Sequence, residues 1–237
     1  MEVKKFEETM GSNMYCIKNN DEFLIVDPSQ DPKIVEQYIG AFYFKNSKNN
    51  ENSQKNANFN DFLAKKQVHS TVHSMHSTHK TCVGVFITHC HYDHILFIEE
   101  FAKLGATFYL TKQCWYNIQN DIINCSKYML KNPINFTIPK DQVVFIDDDD
   151  KIYIDNEYLT VKRTSGHTNC SACIYNDTHI FCGDLLFENG GYGRYDLPTA
   201  SFEELKKSIA WILTLRKKLF VQTGHGETFL LNDRKNN

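Results

Sequence analysis

Four side chains that bind metals well lie within six consecutive positions of this sequence. His89, His91, Asp93 and His94 directly follow the hydrophobic segment 81–87, which has the composition of a buried β-strand. Histidines spaced two residues apart project on the same side of an extended chain, and a turn after them would direct the next two ligands to the same point. Neutral imidazole and carboxylate suit zinc or iron. The segment therefore predicts a metal site rather than a polar loop with histidines in it by chance.

Three further candidate ligands lie later in the chain, each at the junction of a predicted strand and a loop. They are His167, Asp184 and His225. A single residue of this kind beside a glycine is a weak signal, because such pairs are common in turns. Together with the first segment, however, they form the ordered set HxHxDH, H, D, H, which strengthens the prediction of a metal site.

Short strands dominate both halves of the sequence, and helices lie between them. Apolar patterning predicts strands at 14–17, 22–26, 81–87, 107–110, 143–146, 151–154, 158–162, 172–175, 179–182 and 219–223. Helices are predicted at 33–42, 95–104 and 202–219, the first with Asp31 as its N-cap. This order favours an α/β sandwich over a doubly wound parallel sheet, and we expect residues 1–237 to form a single domain.

Composition indicates a globular protein and argues against several classes of function. The net charge of −3 gives no basic field that would attract nucleic acid or an anionic membrane. No apolar segment is long enough to span a bilayer, and the N-terminus lacks the apolar core of a secretory signal. Eight cysteines are too few for a disulfide scaffold in a chain of 237 residues. We therefore expect free thiols and a cytoplasmic location, with import into an organelle left open.

The segment from about 45 to 80 differs sharply in composition from the rest of the chain. It is rich in Asn, Lys, Ser and His, and its apolar content is too low to offset the entropy of folding. Four histidines lie in it, at positions 69, 73, 76 and 79. No carboxylate or cysteine is interleaved with them, so we expect a mobile surface insertion rather than a second metal site.

The ordered set of ligands resembles that of the metallo-β-lactamase superfamily, whose αββα sandwich gathers its metal ligands at one edge. The resemblance covers nearly the whole chain outside the insertion. It implies two divalent metal ions, zinc first, with iron or manganese as alternatives. The implied ligands are His89, His91 and His167 for one ion, Asp93, His94 and His225 for the other, and Asp184 as the bridge between them.

The same resemblance implies a hydrolytic mechanism. Coordination lowers the pKa of water from about 16 to near 7, which supplies a metal-bound hydroxide at neutral pH. Asp93 and Asp184 are the residues expected to be catalytic, Asp93 because it would also orient this hydroxide. Asp27, at the end of an N-terminal strand, resembles the carboxylate that holds the ligand region of the family by hydrogen bonds. Cys90 should face away from the metals by strand alternation and pack in the core.

The segment 183–198, GDLLFENGGYGRYDLP, resembles the glyoxalase II-like branch of the superfamily in its compact form. That branch hydrolyses thioesters of glutathione with 2-hydroxy acids, such as S-lactoylglutathione. The resemblance therefore implies a small-molecule thioester substrate, with no nucleic-acid or membrane partner, and leaves the oligomeric state open. Arg194 and Tyr192 are candidate substrate-binding residues, but Arg194 could equally pair with Asp196 to hold the loop.

Two features depart from the glyoxalase II-like branch, and two other activities remain alternatives. Ser165, Asn169 and Cys170 stand where that branch often has Pro, Pro and Gly. The chain ends twelve residues after His225, so we expect it to lack the C-terminal helical domain that helps to bind glutathione. The first alternative is a persulfide dioxygenase, with one iron held by His89, His167 and Asp184. The second is a small nuclease of the same fold, against which the acidic balance of charge argues.

Overall fold

The computed structural model describes residues 1–7, 11–45, 80–215 and 218–231. The predicted insertion, including its four histidines, lies outside the described residues apart from its two ends. Lys45 directly follows the strand Phe42–Phe44 and Lys80 begins the strand Lys80–Phe86, and these two strands pair in parallel.

Within the described residues, the first sheet contains seven strands of mixed direction. They are β1 (Glu2–Phe6), β2 (Met14–Asn19), β3 (Glu22–Val26), β4 (Phe42–Phe44), β5 (Lys80–Phe86), β6 (Phe108–Leu110) and β7 (Val143–Phe145). β1, β2 and β3 form an antiparallel meander, whereas β3, β4 and β6 all pair in parallel with β5. β5 is therefore the central strand, and the burial of its second half agrees with its apolar sequence.

The second sheet contains six strands in the order β13, β12, β11, β10, β9 and β8. Their bounds are β8 (Lys151–Ile154), β9 (Glu157–Arg163), β10 (Ala172–Tyr175), β11 (His179–Gly183), β12 (Phe220–Thr223) and β13 (Phe229–Leu230). β11 and β12 are parallel, and the other neighbours are antiparallel. The C-terminal ends of β11 and β12 consequently lie side by side.

The helices lie on the outer faces of the two sheets. Their bounds are α1 (Pro32–Ile39), α2 (Ile98–Lys103), α3 (Lys112–Asn117), α4 (Ser126–Met129) and α5 (Phe202–Thr214). The carboxylate of Asp31 caps α1 by accepting a hydrogen bond from the amide of Lys33 at 2.9 Å, as the sequence predicted. None of the helices in the described ranges is both long and apolar enough to cross a membrane.

Alternation along the strands separates the interior into layers. In β3, Phe23 and Ile25 pack with residues of α1, α2 and α3, whereas Leu24 and Val26 pack against the second sheet. On the far side of the second sheet, strands β10, β11 and β12 pack with α5. The layers thus run helix, sheet, sheet, helix, which confirms the predicted αββα sandwich.

The structure corrects three predicted helix boundaries. The helix predicted at 202–219 ends at Thr214, and Leu215 after it is extended. The helix predicted at 95–104 begins at Ile98, because a 3-10 turn at Tyr92–His94 precedes it. The helix predicted at 33–42 ends at Ile39, where Gly40 adopts a φ of 87°. A left-handed residue of this kind commonly ends a helix, and here it allows the chain to enter β4.

Gly166 provides a test of how tightly the loop before His167 packs on α5. Its φ is 139°, and a Cβ atom there would overlap the backbone of Leu205. We expect Gly166→Ala to lower the free energy of unfolding by on the order of 3 kcal/mol, because backbone must move. Gly105→Ala is the control, with a φ of 86° but open space around the added atom. Its expected loss is about 1 kcal/mol. If urea unfolding showed equal losses of unfolding free energy for the two variants, the close packing of Gly166 on α5 would be contradicted.

Candidate metal centre

The loop after β5 brings together four of the candidate ligands. The chain continues beyond the strand to His91, which is extended with φ −65° and ψ 142°. The 3-10 turn Tyr92–His94 then redirects it, and the amide of His94 donates to the carbonyl oxygen of His91 at 3.1 Å. This turn directs Asp93 and His94 toward the other ligands.

Loops of the second sheet supply the other three candidates. His167 follows β9, Asp184 follows β11 and His225 follows β12. Because β11 and β12 are parallel neighbours, their loops leave the same edge, and the amide of Gly224 donates to the carbonyl oxygen of Gly183 at 2.8 Å. The loops of both sheets therefore meet at one edge of the sandwich.

Three histidines form the first group of candidate ligands: His89, His91 and His167. Nδ1 of His91 lies 3.2 Å from Nε2 of His89 and 2.9 Å from Nε2 of His167. Two nitrogen atoms bound to one zinc ion at about 2.1 Å in tetrahedral geometry lie about 3.4 Å apart. The observed separations are close to that value, so the three nitrogens are arranged to bind a common ion.

The second group consists of Asp93, His94 and His225. Oδ2 of Asp93 lies 3.2 Å from Nε2 of His225 and 3.9 Å from Nε2 of His94. Asp184 lies between the groups, with its Oδ2 atom 3.5 Å from Nε2 of both His167 and His225. Its carboxylate therefore faces a ligand of each group, which is the geometry a bridging ligand requires.

Unpaired buried atoms provide a test of whether metal fits this cluster. Nε2 of His94 and Oδ1 of Asp184 lie 3.3 Å apart as an ion pair, and neither makes a hydrogen bond to another atom of the described residues. Leaving a buried polar group unpaired costs about 1–3 kcal/mol. A divalent cation would satisfy both atoms, and imidazole with carboxylate is a donor set that zinc, iron and manganese accept. The residues present therefore fit divalent metal.

Four of the five imidazoles are anchored through Nδ1, the nitrogen opposite the ligand atom. Two rings pair with side chains: Nδ1 of His89 lies 3.0 Å from Oγ1 of Thr88, and Nδ1 of His94 lies 2.8 Å from Oδ2 of Asp27. The other two pair with backbone: Nδ1 of His167 lies 2.7 Å from the carbonyl oxygen of Arg194, and Nδ1 of His225 lies 3.2 Å from that of Gly11. A proton on Nδ1 leaves the lone pair of Nε2 free for metal. His91 is the exception, since its Nδ1 atom faces the cluster.

Asp27 lies where the sequence predicted a carboxylate that supports the ligand region. It is 2% exposed and accepts hydrogen bonds at 2.7 Å from the backbone amide and from the hydroxyl of Thr88. Its φ of 53° is unusual for a residue other than glycine. The bond from its amide to the carbonyl oxygen of Phe86, at 2.9 Å, holds it at the end of β3.

Two glycines at the centre were not singled out from the sequence. A Cβ atom on Gly193 would lie 2.6 Å from Nδ1 of His167, and one on Gly224 would lie 2.6 Å from Cε1 of His94. Asp184 comes closer still, with its carbonyl oxygen against the Cβ position at Gly193 and its Oδ1 atom against the one at Gly224, so both positions need glycine. The sequence offered a signal for each, because Gly224 directly precedes His225 and Gly193 lies in the segment 183–198 that resembles the glyoxalase II-like branch.

Burial and charge divide the imidazoles into two kinds. Burial keeps the pKa of His89 well below its usual range and lowers the pKa of His91 to about 4, so both are neutral at pH 7. Burial also opposes protonation of His94 and His225. The nearby carboxylates, Asp184 foremost, nevertheless hold the pKa of His94 well above its usual range and raise that of His225 to about 9.

The other residues singled out from the sequence lie around the cluster. Cys90 is fully buried in the apolar cluster beneath the first sheet, which agrees with its expected orientation. Arg194 donates from Nε and from one terminal guanidinium nitrogen to the carboxylate of Asp196, at 2.9 and 2.8 Å. Tyr192 borders an open groove of about 380 Å³ together with Leu186 and Phe202.

Comparison with known proteins identifies the family. The profile of the metallo-beta-lactamase superfamily matches residues 9–225, so the chain belongs to this superfamily. A probable metallo-hydrolase of Bacillus subtilis is 32% identical over 66% of this chain and 75% of that protein. A probable metallo-hydrolase of Streptococcus pyogenes is 28% identical over 98% of this chain and 87% of that protein. A hydroxyacylglutathione hydrolase of Salmonella typhi is 27% identical over 52% of this chain and 41% of that protein. The protein is thus a metallo-hydrolase of this superfamily.

Solved structures share the fold at low sequence identity. The B3 metallo-beta-lactamase BLEG-1 superposes with a TM-score of 0.71 at 22% identity, over 97% of this chain and 94% of that one. TTHA1623 in a di-iron-bound form superposes with a TM-score of 0.69 at 18% identity, over 98% and 95% of the two chains. These similarities establish the architecture and leave the substrate to be inferred from the site.

Metal binding is expected to release protons from His94 and His225. Both carry a proton at pH 7 according to their raised pKa values, and coordination requires the lone pair of Nε2. Zinc affinity should therefore increase from pH 7 to about 9 and increase less steeply above the pKa of His225. Isothermal titration in buffers of different ionisation enthalpy measures the released protons. Zinc uptake without proton release would contradict the protonation states given above.

Proposed function

We propose that the protein is a glyoxalase II-like thioesterase that cleaves S-2-hydroxyacylglutathione to glutathione and a 2-hydroxy acid. The observation that carries this proposal is the presence of two ligand groups that face the single carboxylate of Asp184. Divalent metals bound there lower the pKa of water and polarise a carbonyl oxygen, which is the chemistry that thioester hydrolysis requires.

The open side of the site is the side of His225. The His225 side chain is 38% exposed, whereas His94 is fully buried and His167 is 4% exposed. The ring of Phe187 borders this side, with its centroid 6.1 Å from that of the imidazole. We infer that the acyl group of the substrate approaches here, past an apolar ring. Asp93 is 17% exposed and would orient the attacking water.

A thioester suits this arrangement because of its leaving group. Thiols ionise with a pKa of about 8.5, so a thiolate leaves near neutral pH without a strong proton donor. Two features support glutathione as the thiol carrier. One is the match to a hydroxyacylglutathione hydrolase, and the other is the segment 183–198 with its GRYDLP sequence.

A mononuclear-iron persulfide dioxygenase is the second candidate. It would use His89, His167 and Asp184, and the 3.5 Å separation of Asp184 Oδ2 from His167 Nε2 is compatible with that triad. The completeness of the second ligand group favours the hydrolase, because a single iron would leave Asp93 and His225 without a role in binding.

The proposal is tested by assaying metal content and S-lactoylglutathione hydrolysis on one preparation. We expect about two metal ions per chain together with turnover. Asp184→Asn should abolish the turnover, because a neutral amide cannot bridge two cations. Asp149→Asn, in an exposed left-handed turn that asparagine tolerates, is the matched control and should retain activity.

Two outcomes would count against the thioesterase. Retained hydrolysis in Asp184→Asn would contradict the role of the bridging carboxylate. About one iron per chain, with oxygen consumption on glutathione persulfide and no thioesterase activity, would favour the dioxygenase.

Arg194 is expected to act through the loop rather than through the substrate. Arg194 and Asp196 pair closely while about two-thirds of each side chain is exposed. We therefore predict that Arg194→Ala and Asp196→Ala raise KM by the same small factor, and that the double variant is no worse than either single one. A large rise in KM for Arg194→Ala alone would instead indicate direct contact with a substrate carboxylate.

A further inference from the structure

The hydroxyl group of Thr88 links two groups of the metal centre. Its Oγ1 atom lies 2.7 Å from Oδ2 of Asp27 and 3.0 Å from Nδ1 of His89. The residue is 2% exposed, so water does not compete for these hydrogen bonds.

The direction of the two bonds follows from the chemistry of the partners. A hydroxyl group has one proton, and an ionised carboxylate can only accept. The proton of Thr88 is therefore donated to Asp27, and its oxygen accepts from Nδ1–H of His89. That bond fixes His89 in the tautomer whose Nε2 lone pair faces the cluster.

One oxygen atom of Asp27 thereby supports an imidazole from each ligand group. Oδ2 accepts directly from Nδ1 of His94 at 2.8 Å, and it supports His89 through the threonine hydroxyl. Of the groups that could hold a metal ion, one contains His89 with His91 and His167 and another contains His94 with Asp93 and His225, while a third joins both rings to Asp184. Removal of the hydroxyl would therefore affect one group and leave the direct bond to the other.

The backbone beside Asp184 leaves room for this threonine. Gly183 has a φ of 51°, and a Cβ atom there would lie 2.6 Å from Oγ1 and 2.9 Å from Cβ of Thr88. The Oγ1 and Cβ atoms of Thr88 thus lie against the backbone of Gly183 at the end of β11. This confinement favours one rotamer, with the hydroxyl oriented toward Asp27 and His89.

We propose that Thr88 is a positioning residue that selectively strengthens the metal ion held by His89, His91 and His167. It does so by extending the hydrogen bonding of Asp27 to His89. The ion held by Asp93, His94 and His225 depends on Asp27 directly and does not require the hydroxyl. This inference concerns metal affinity and goes beyond the proposed reaction.

The test is a cobalt titration of the metal-free full chain in the absence of substrate, followed by visible absorption. Thr88→Val removes the hydroxyl at nearly constant volume, and we expect one binding step to weaken by about 10- to 100-fold with the other unchanged. Thr88→Ser keeps the hydroxyl and should restore the weakened step. Asp27→Asn should weaken both steps.

Thr168→Val is the matched control. Thr168, like Thr88, is buried and adjacent in sequence to a candidate ligand. Its hydroxyl group, however, pairs with Oγ of Ser171 at 2.7 Å and not with an imidazole. Both cobalt steps should remain as in the unmodified protein. Circular dichroism verifies the fold of each variant, and Thr88→Ala, with the same expectation, replaces Thr88→Val should the latter misfold.

A double variant identifies the affected ion. In a His225→Ala background, which removes a ligand of the second group, Thr88→Val should still weaken the remaining cobalt step. Unchanged titration of Thr88→Val, equal weakening of both steps, or failure of Thr88→Ser to restore affinity would each overturn the proposal. Because no substrate is present, these results are independent of whether the thioesterase assignment holds.

Discussion

Five imidazoles and two carboxylates converge at one edge of the sandwich, and the cost of burying them is the constraint that the surrounding structure satisfies. Buried polar groups need partners, and the ligand atoms here face one another rather than ordinary hydrogen-bond donors. Raised pKa values at His94 and His225 place protons between the carboxylates. A divalent metal ion would replace the positive charge of these protons. Metal binding is therefore coupled to proton release.

The outer hydrogen bonds make the ligand geometry specific. Nδ1 of four rings is bound to a carboxylate, a hydroxyl or a backbone carbonyl, so each of these rings presents Nε2 to the cluster. These partners come from both sheets and from the N-terminal segment. The sandwich therefore positions the site by bringing strand ends together, and close packing at Gly193 and Gly224 brings the backbone against the rings.

The sequence predicted the strongly patterned parts of this structure. The alternation of strands and helices predicted an α/β sandwich, and the ligand residues after the strand 81–87 predicted a metal site, because strand patterning and ligand chemistry are local properties of the chain. The resemblance to the superfamily implied that seven ligands meet at one edge. The helix at Ile98 was predicted three residues too early, because a 3-10 turn carries no distinct pattern. α3 and α4 were not predicted, since they are short and depend on polar caps such as Thr111, whose hydroxyl accepts from the amide of Cys114 at 3.1 Å.

Other features of the site could not be read from the sequence because they depend on tertiary contacts. Thr88 belongs to the ligand segment, yet its hydroxyl acquires a role only where Asp27, 61 residues away, is folded against it. Arg194 shows the same limit in the opposite direction. Its spacing allowed either contact with substrate or pairing with Asp196, and only the structure shows that Nε and one terminal nitrogen of the guanidinium donate to that carboxylate.

Anomalous diffraction from metal-loaded crystals tests the central claim most directly, because it locates each ion among its ligands. We expect two peaks about 3.5–4 Å apart, one among His89, His91 and His167 and the other among Asp93, His94 and His225, with Asp184 between them. A single peak held by His89, His167 and Asp184 at saturating metal would contradict a two-metal hydrolase and would instead favour one-iron chemistry.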